Sequence, residues 1–185
     1  MSSSFAKIAF TPAVKALQEL QGSRELYAGF EMEADQTDEL SIREIEYIES
    51  RDSFYQATVS DTGWPYVQHR GGPKGFLKVL DNNNLAFADF RGNRQYVSTG
   101  NLLKNDRIAM ILVDYEKRRR LKIFGHVRLV LAIDEPELLA RLIAPEYPAH
   151  VEHALVIRVE ALSWNCSKHI ATRYKQNEFQ ATQDR

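Results

Sequence analysis

Three features are scarce in this sequence of 185 residues, and each scarcity excludes a class of protein. One cysteine excludes an intrachain disulfide and any zinc or iron–sulfur site built from several cysteines, and it favours a reducing compartment. No apolar run reaches the roughly 18 residues of a transmembrane helix. The 24 basic and 25 acidic residues leave a net charge of −1, without the positive excess of a general nucleic-acid binder. The first residues lack a signal-peptide pattern, so we expect a soluble cytoplasmic protein.

The hydrophobic pattern changes from helical to strand-like near residue 54. Thr11, Pro12 and Gly22 are start and stop signals that predict a helix over 11–22. A second helix is predicted over 41–51, because Ser41 and Glu44 have capping-box spacing; the acidic segment between the helices is expected to be irregular. Strands with turn signals between them follow at 54–60, 64–70, 76–80, 85–90, 108–114, 121–131 and 154–159, with 161–165 as an extension of the last one. Short helices are predicted within 94–105 and at 135–143.

These elements predict an α+β protein whose antiparallel sheet of six to seven strands curls into a small barrel, with N-terminal helices and short peripheral helices. We divide it into an N-terminal helical segment over 1–52, packed on the barrel, and a barrel domain over 53–185. The strands do not alternate with long helices, and no G-x-G-x-x-G, P-loop or G-x-S-x-G motif occurs. A Rossmann fold, a P-loop nucleotidase and an α/β-hydrolase are therefore not expected.

Charge is balanced in total but segregated along the chain. Residues 31–52 hold nine acids and two bases, whereas residues 91–128 hold ten bases and three acids. Such segregation can steer an anionic ligand to one region of the surface. Solvated faces, or two charged surfaces that meet each other, explain it equally well.

Metal binding and cysteine catalysis each have a weak signal. His150 and His153 are three residues apart, but no third ligand is evident, and two surface histidines explain the pair; we expect no metal site. Cys166 and His169 have the same spacing, and a nearby cation would lower the pKa of a thiol. A lone cysteine is more often a small buried group.

Anion binding has the strongest local signal. Arg70 precedes Gly71 and Gly72, where the backbone can approach a ligand closely. Arg91 and Arg94 flank another glycine directly after a predicted strand, and guanidinium groups bind phosphate through two hydrogen bonds. In an extended segment Arg118 and Arg120 would share one face, although solvated arginines at a hairpin tip explain them as well.

Four ordered motifs resemble the pyridoxamine 5'-phosphate oxidase-like flavoproteins, in particular the branch described as predicted flavin-nucleotide-binding. They are Gly63-Trp-Pro-Tyr-Val-Gln-His-Arg70, Leu85-Ala-Phe-Ala-Asp-Phe-Arg-Gly-Asn-Arg-Gln95, Asn101-Leu-Leu-Lys-Asn-Asp-Arg-Ile-Ala109 and Arg118-Arg-Arg-Leu-Lys-Ile-Phe-Gly125. The resemblance covers about residues 42–131. A weaker similarity at 164–174 includes Cys166-Ser-Lys-His-Ile-Ala-Thr-Arg173, which matches the tail of that branch.

The resemblance implies a split-barrel homodimer with FMN in a groove at the interface. It places Gln68, His69, Arg70 and Gly71 along the edge of the isoalloxazine ring. Asp89, Asn93, Arg94 and Gln95 would contact the ribityl chain and the phosphate. Arg120 would make a polar contact to the flavin. Arg94 would be the main phosphate ligand. Trp164 and Arg173 match tail residues that close the site from the second subunit, and His169 and Arg173 are the candidate substrate contacts.

The sequence departs from the true oxidases at the substrate site. The position of their first flavin-strand arginine reads Gln68, or shifts to Arg70, and that of their substrate-phosphate lysine falls near Pro73. We therefore expect an FMN-binding oxidoreductase that transfers hydride or electrons to or from an unidentified small molecule, without vitamin B6 oxidation. The alternatives are a non-catalytic flavin-binding or storage protein, a pyridoxamine 5'-phosphate oxidase after all, or a haem-binding relative. Whether the chain is an enzyme at all stays open at this point.

Overall fold

The structure, a computed structural model, describes residues 2–31, 38–145, 147–165 and 167–174. The helices are α1 (Ser3–Ala9), α2 (Pro12–Leu20), α3 (Arg24–Ala28), a 3₁₀ turn (Gly29–Glu31), α4 (Ile42–Glu49), α5 (Val97–Leu102) and α6 (Pro136–Leu142). The strands are β1 (Ser53–Val59), β2 (Pro65–Gly71), β3 (Lys78–Val79), β4 (Asn84–Phe90), β5 (Arg107–Asp114), β6 (Arg119–Leu131) and β7 (Val151–Asn165). No helix in these ranges is long and apolar enough to span a bilayer.

The seven strands form one antiparallel sheet in the order β2-β1-β5-β6-β7-β4-β3. The predicted α+β split-barrel fold is confirmed. The two longest strands, β6 and β7, lie side by side near the middle of the order and join β2-β1-β5 on one side to β4-β3 on the other. The main apolar core lies on one face of this sheet and includes Phe54, Phe87, Leu121, Ile123 and Ile157, each almost fully buried.

Two predicted helices form where their start signals lie. Thr11 Oγ1 accepts a hydrogen bond from the backbone of Val14 and so caps α2, with Pro12 in the first turn. Ser41 and Glu44 make both halves of the predicted capping box at the start of α4. Such caps satisfy backbone N–H groups that a helix end leaves unpaired.

Two N-terminal helices were not predicted. The ring of Phe5 in α1 stacks on Phe124 of β6 at 4.7 Å, and the backbone of Ser2 donates to Leu162 of β7 at 3.3 Å. The five-residue α3 lies in the segment expected to be irregular, where Arg24 pairs with Glu31 at 2.7 Å. Helices this short are marginal alone, so tertiary contacts that no local pattern displays decide whether they form.

Two strands differ from their predicted extents. The strand expected over 76–80 is reduced to β3, because Phe76 and Leu77 turn into the core before pairing begins. The segments expected at 154–159 and 161–165 are parts of one strand, β7, which starts at Val151. A bulge at Glu160 separates them, since Gly125 pairs with Val159 and Phe124 with Ala161.

Candidate ligand-binding cleft

A cleft of about 240 Å³ lies between the edge strand β2, the end of β4, and the turn that leads into α5. Six of the ten predicted cofactor-binding residues line it. The lining residues are Tyr66, Gln68, Arg70, Asp89, Phe90, Gly92, Asn93, Arg94, Gln95, Tyr96, Val97, Ser98, Thr99 and Glu152. Two of the motifs that suggested anion binding therefore meet at one place in the fold.

The alternation of β2 decides which of its side chains face the cleft. Gln68 and Arg70 pair with Gln56 and Phe54 of β1, whose side chains point into the core. Paired residues of neighbouring strands share a face, so Gln68 and Arg70 lie on the inner side, where both line the cleft. His69 lies on the opposite face.

His69 and Gly71 share that opposite face, away from the lining of the cleft. His69 packs its imidazole against the ring of Tyr55, with 5.3 Å between ring centroids. The resemblance placed Gln68, His69, Arg70 and Gly71 together along the flavin, but the pleat of the strand separates them into two faces.

A buried cluster of Arg70, Asp89 and His153 forms one wall. The guanidinium of Arg70 makes a close ion pair with the carboxylate of Asp89, and its second nitrogen lies 3.4 Å from the other oxygen. His153 of β7 places Nε2 3.1 Å from Asp89 Oδ2, although the angle does not make a hydrogen bond. The Arg70 Nε is also buried without a hydrogen-bond partner in the described chain. Asp89 therefore holds Arg70 in place at the wall of the cleft.

The turn between β4 and α5 has an uncommon backbone. Arg94 and Tyr96 both have left-handed dihedrals, with φ of 63° and 53°, which are costly for residues with side chains. Inside the turn, the Asn93 side chain accepts a hydrogen bond from the backbone of Gln95 at 3.2 Å. This backbone presents the Arg94 side chain at the mouth of the cleft, where it is exposed.

Glu152 of β7 holds both ends of this turn. Its Oε1 accepts from Arg91 Nε at 3.0 Å and from the Tyr96 hydroxyl at 2.9 Å. The hydrogen bond from Arg91, followed by the one from Tyr96, lowers the pKa of the Glu152 carboxyl, so the group stays ionised at neutral pH. Arg94, by contrast, has no carboxylate partner among the described residues.

The remaining predicted site residues do not line the cleft in a single chain. Arg120 pairs with Val113 and Asn165 near the start of β6. Trp164 packs under α4, where its Nε1 donates to Glu44, and the guanidinium groups of Arg43 and Arg119 lie 4.4 Å and 4.7 Å from its ring.

The two candidate substrate contacts are also outside the cleft. His169 is exposed, with φ of 62°, and Arg173 lies over the ring of Tyr115 at 4.9 Å. Cys166 lies outside the described residues. Among those that are described, no group of three or more potential ligands is arranged for a metal ion.

Sequence reasoning missed several residues of the cleft, including Tyr66, Tyr96 and Ser98. Tyr66 had a usable signal, because it lies two residues from Gln68 on the same strand face. Ser98 donates to Gln68 at 2.8 Å, a contact between distant segments that no motif displays. His153 was interpreted as one of two surface histidines; it is buried instead, because the pairing of β7 with β4 places it opposite Asp89.

The model of the pyridoxamine 5'-phosphate oxidase family matches residues 42–165, about two thirds of the sequence. The chain belongs to this family. The resemblance stated from the motifs is therefore confirmed, and all lining residues of the cleft fall within the matched range. No curated protein matches the sequence.

Several solved structures share the fold of this chain. A putative pyridoxamine 5'-phosphate oxidase from Lactobacillus delbrueckii has a TM-score of 0.53 at 17% identity, over 71% of this chain and 99% of that one. A relative of general stress protein 26 from Clostridium acetobutylicum has 0.50 at 18%, over 74% and 94%. A HupZ protein from Group A Streptococcus has 0.50 at 14%, over 68% and 98%. At these identities the similarity establishes the fold alone.

Proposed function

We propose that this protein binds FMN, with the phosphate on the turn Gly92–Gln95 and Arg94 as its main ligand. The observation that carries the proposal is the state of Arg94. Its guanidinium lies at the cleft with no carboxylate partner in the described chain, whereas Arg70 and Arg91 are paired with Asp89 and Glu152. A fork of guanidinium donors suits a phosphate group.

The other donors of the cleft fit the same group. The side chains of Asn93 and Gln95, together with the hydroxyl of Thr99, line it beside Arg94. A Cβ built on Gly92 would meet no atom of the chain within 4 Å, so the space beside its backbone is open to a ligand.

The size of the cleft supports a site completed by a second copy of the chain. Its volume of about 240 Å³ lies below the roughly 300–1,000 Å³ of typical ligand pockets. One chain thus offers room for the phosphate end, and the flavin ring extends beyond it. A separate observation supports dimer formation: the face of β1 and β2 opposite to the side that carries Gln68 and Arg70 leaves Tyr55, Val59 and Val67 exposed by 39%, 38% and 63%. An apolar sheet face of this kind suits a twofold dimer interface.

Bound FMN would supply the hydride or electron transfer, so the protein needs to bind, orient and exclude water. Arg70 is fixed by Asp89, and a fixed cation beside a flavin stabilises the negative charge that the ring gains on reduction. We therefore propose an FMN-dependent oxidoreductase. A non-catalytic flavin-binding protein would use the same cleft without turnover.

An FMN titration followed by quenching of the flavin fluorescence tests the binding site. A hydrogen bond to a charged group contributes about 1.5–3 kcal/mol, so Arg94→Ala should weaken FMN binding roughly 10- to 100-fold. Arg128→Ala is the matched control, because Arg128 is an exposed arginine that pairs with Glu135 away from the cleft. Wild-type protein that holds no FMN, or equal affinities for the two variants, would overturn the proposal.

Anaerobic addition of NADH or NADPH to the FMN-loaded protein separates the two functional classes. Loss of the visible flavin absorption shows that the protein accepts reducing equivalents, as an oxidoreductase must. Bound flavin that stays oxidised with both donors would favour the non-catalytic flavin-binding protein.

A further inference from the structure

A carboxylate in an anion-binding cleft needs an explanation, and Glu152 is such a carboxylate. It lines the cleft, its side chain is 15% exposed, and it stays ionised at neutral pH. A negative charge there repels a phosphate group. If charge alone determined the affinity, the cleft would bind an anion more tightly without Glu152.

The backbone of β7 is deformed at Glu152 in a way that aims this side chain. Asp89 pairs with His153 and Phe90 pairs with Val151, so Glu152 is the additional residue of a β-bulge. A bulge interrupts the alternation of a strand and redirects a side chain. Glu152 and His153 are neighbours in sequence, yet both contact groups around the cleft.

The contacts of Glu152 connect the two ends of the turn. Arg91 precedes Gly92, and Tyr96 follows Gln95; the same oxygen of Glu152 accepts a hydrogen bond from each. The backbone of Arg91 also donates to His150 at 2.8 Å, which fixes the start of the turn to the same segment. The turn contains left-handed Arg94 and ends at left-handed Tyr96, and strained residues persist only where surrounding contacts hold them.

We propose that Glu152 is a positioning residue that holds the turn Gly92–Gln95 in the shape that presents Arg94 to the phosphate of the ligand. This inference rests on the proposed function. Glu152 strengthens anion binding by holding the turn in shape, and it weakens anion binding by charge repulsion. We infer that the first effect is the larger one.

The two effects of Glu152 predict opposite results for two substitutions. Glu152→Gln keeps an oxygen that accepts from Arg91 and Tyr96 but removes the charge, so FMN should bind as tightly as to the wild type, or a few-fold more tightly. Glu152→Ala removes the clamp and should weaken FMN binding about tenfold. If the charge alone mattered, both substitutions would tighten FMN binding, and that result would overturn the inference.

Glu160 provides a matched control on the same strand. It is the additional residue of the second bulge of β7, and it pairs with Arg158 at 3.0 Å. It lies eight residues from Glu152, or about 26 Å along an extended strand. Glu160→Ala removes the same charge from the same kind of site and should leave the affinity for FMN unchanged.

Hydrogen exchange of the turn without any ligand separates a failure of this inference from a failure of the proposed function. In Glu152→Ala the backbone amide of Gln95, bonded to Asn93 in the wild type, should exchange several-fold faster, with no change in Glu152→Gln. Unchanged exchange in Glu152→Ala would overturn the inference even where FMN binds. Faster exchange in a protein that binds no FMN would overturn the proposed function alone.

A milder substitution keeps the test decisive if Glu152→Ala does not fold. Tyr96→Phe removes one of the two donors to Glu152 and leaves the ring in place. It should raise the exchange rate of Gln95 and weaken FMN binding to a smaller extent than Glu152→Ala. Wild-type values of both quantities in Tyr96→Phe would then overturn the inference.

Discussion

Substitution of Asp89 by alanine tests whether the buried ion pair holds the wall of the cleft. Asp89 is 5% exposed, and its carboxylate lies between the guanidinium of Arg70 and the imidazole of His153. Asp89→Ala leaves Arg70 buried without its partner. Removal of one member of a buried pair costs about 3–5 kcal/mol, because the remaining charge is no longer compensated.

The loss of about 3–5 kcal/mol can be expressed as a decrease in the melting temperature, Tm. For a chain of 150–250 residues, 1 kcal/mol shifts Tm by roughly 2–4 °C, so Asp89→Ala should lower Tm by about 6–20 °C. Urea denaturation of the same variant gives the free energy of unfolding independently. The exposed pair of Arg128 and Glu135 supplies the control: Glu135→Ala should cost no more than about 1 kcal/mol.

A double substitution distinguishes the cost of an unpaired charge from the cost of changing the side chains at these two positions. Arg70→Met combined with Asp89→Leu removes both charges together, so it should recover most of the stability that Asp89→Ala loses. The reasoning is refuted if Asp89→Ala loses no more stability than Glu135→Ala. That result would show that Arg70, whose side chain is 15% exposed, turns through the cleft into water when Asp89 is absent.

Three further predictions concern the barrel and the cleft. Gly125→Ala should lower Tm by several degrees, because its Cβ would lie 2.6 Å from the carbonyl oxygen of Arg158. Gly92→Ala should leave Tm unchanged, since nothing lies within 4 Å, yet it should weaken FMN binding if the phosphate packs there. Burial raises the pKa of Tyr47 to about 12, so its contribution to stability is complete below pH 10 and is lost as the pH rises towards 12. Urea midpoints of the wild type and Tyr47→Phe should therefore converge over that interval; a constant difference would contradict this reasoning.

The sequence predicted the fold where local signals agree with tertiary structure. The capping box at Ser41 and Glu44 marks α4, and a turn signal separates the strand-like segments that form β1 and β2. It failed at α1, because that helix depends on the stacking of Phe5 against Phe124, a contact between residues far apart in the sequence. Local patterns report local interactions, and an element held by distant contacts leaves little trace in them.

The same distinction explains the candidate site. The resemblance named Asn93, Arg94 and Gln95 together, and all three line the cleft because they lie on one continuous turn. The resemblance grouped His69 with Arg70, although period-two alternation alone places them on opposite faces. The contribution of β7 could not be predicted, because it depends on which residues of β4 lie opposite it.

The two bulges of β7 show that the contacts of a residue depend on the pairing of its strand as well as on its residue type. Each bulge places a glutamate beside an arginine: Glu152 beside Arg91, and Glu160 beside Arg158. The sequence around the two residues gives no sign of a difference between them. Of the two, Glu152 alone accepts a hydrogen bond from a left-handed residue, Tyr96, so we expect the loss of the two carboxylates to affect ligand binding differently. Glu152→Ala and Glu160→Ala each remove one carboxylate from a bulge of β7. A difference between their affinities for the ligand therefore measures what the pairing of β7 with β4 contributes to ligand binding.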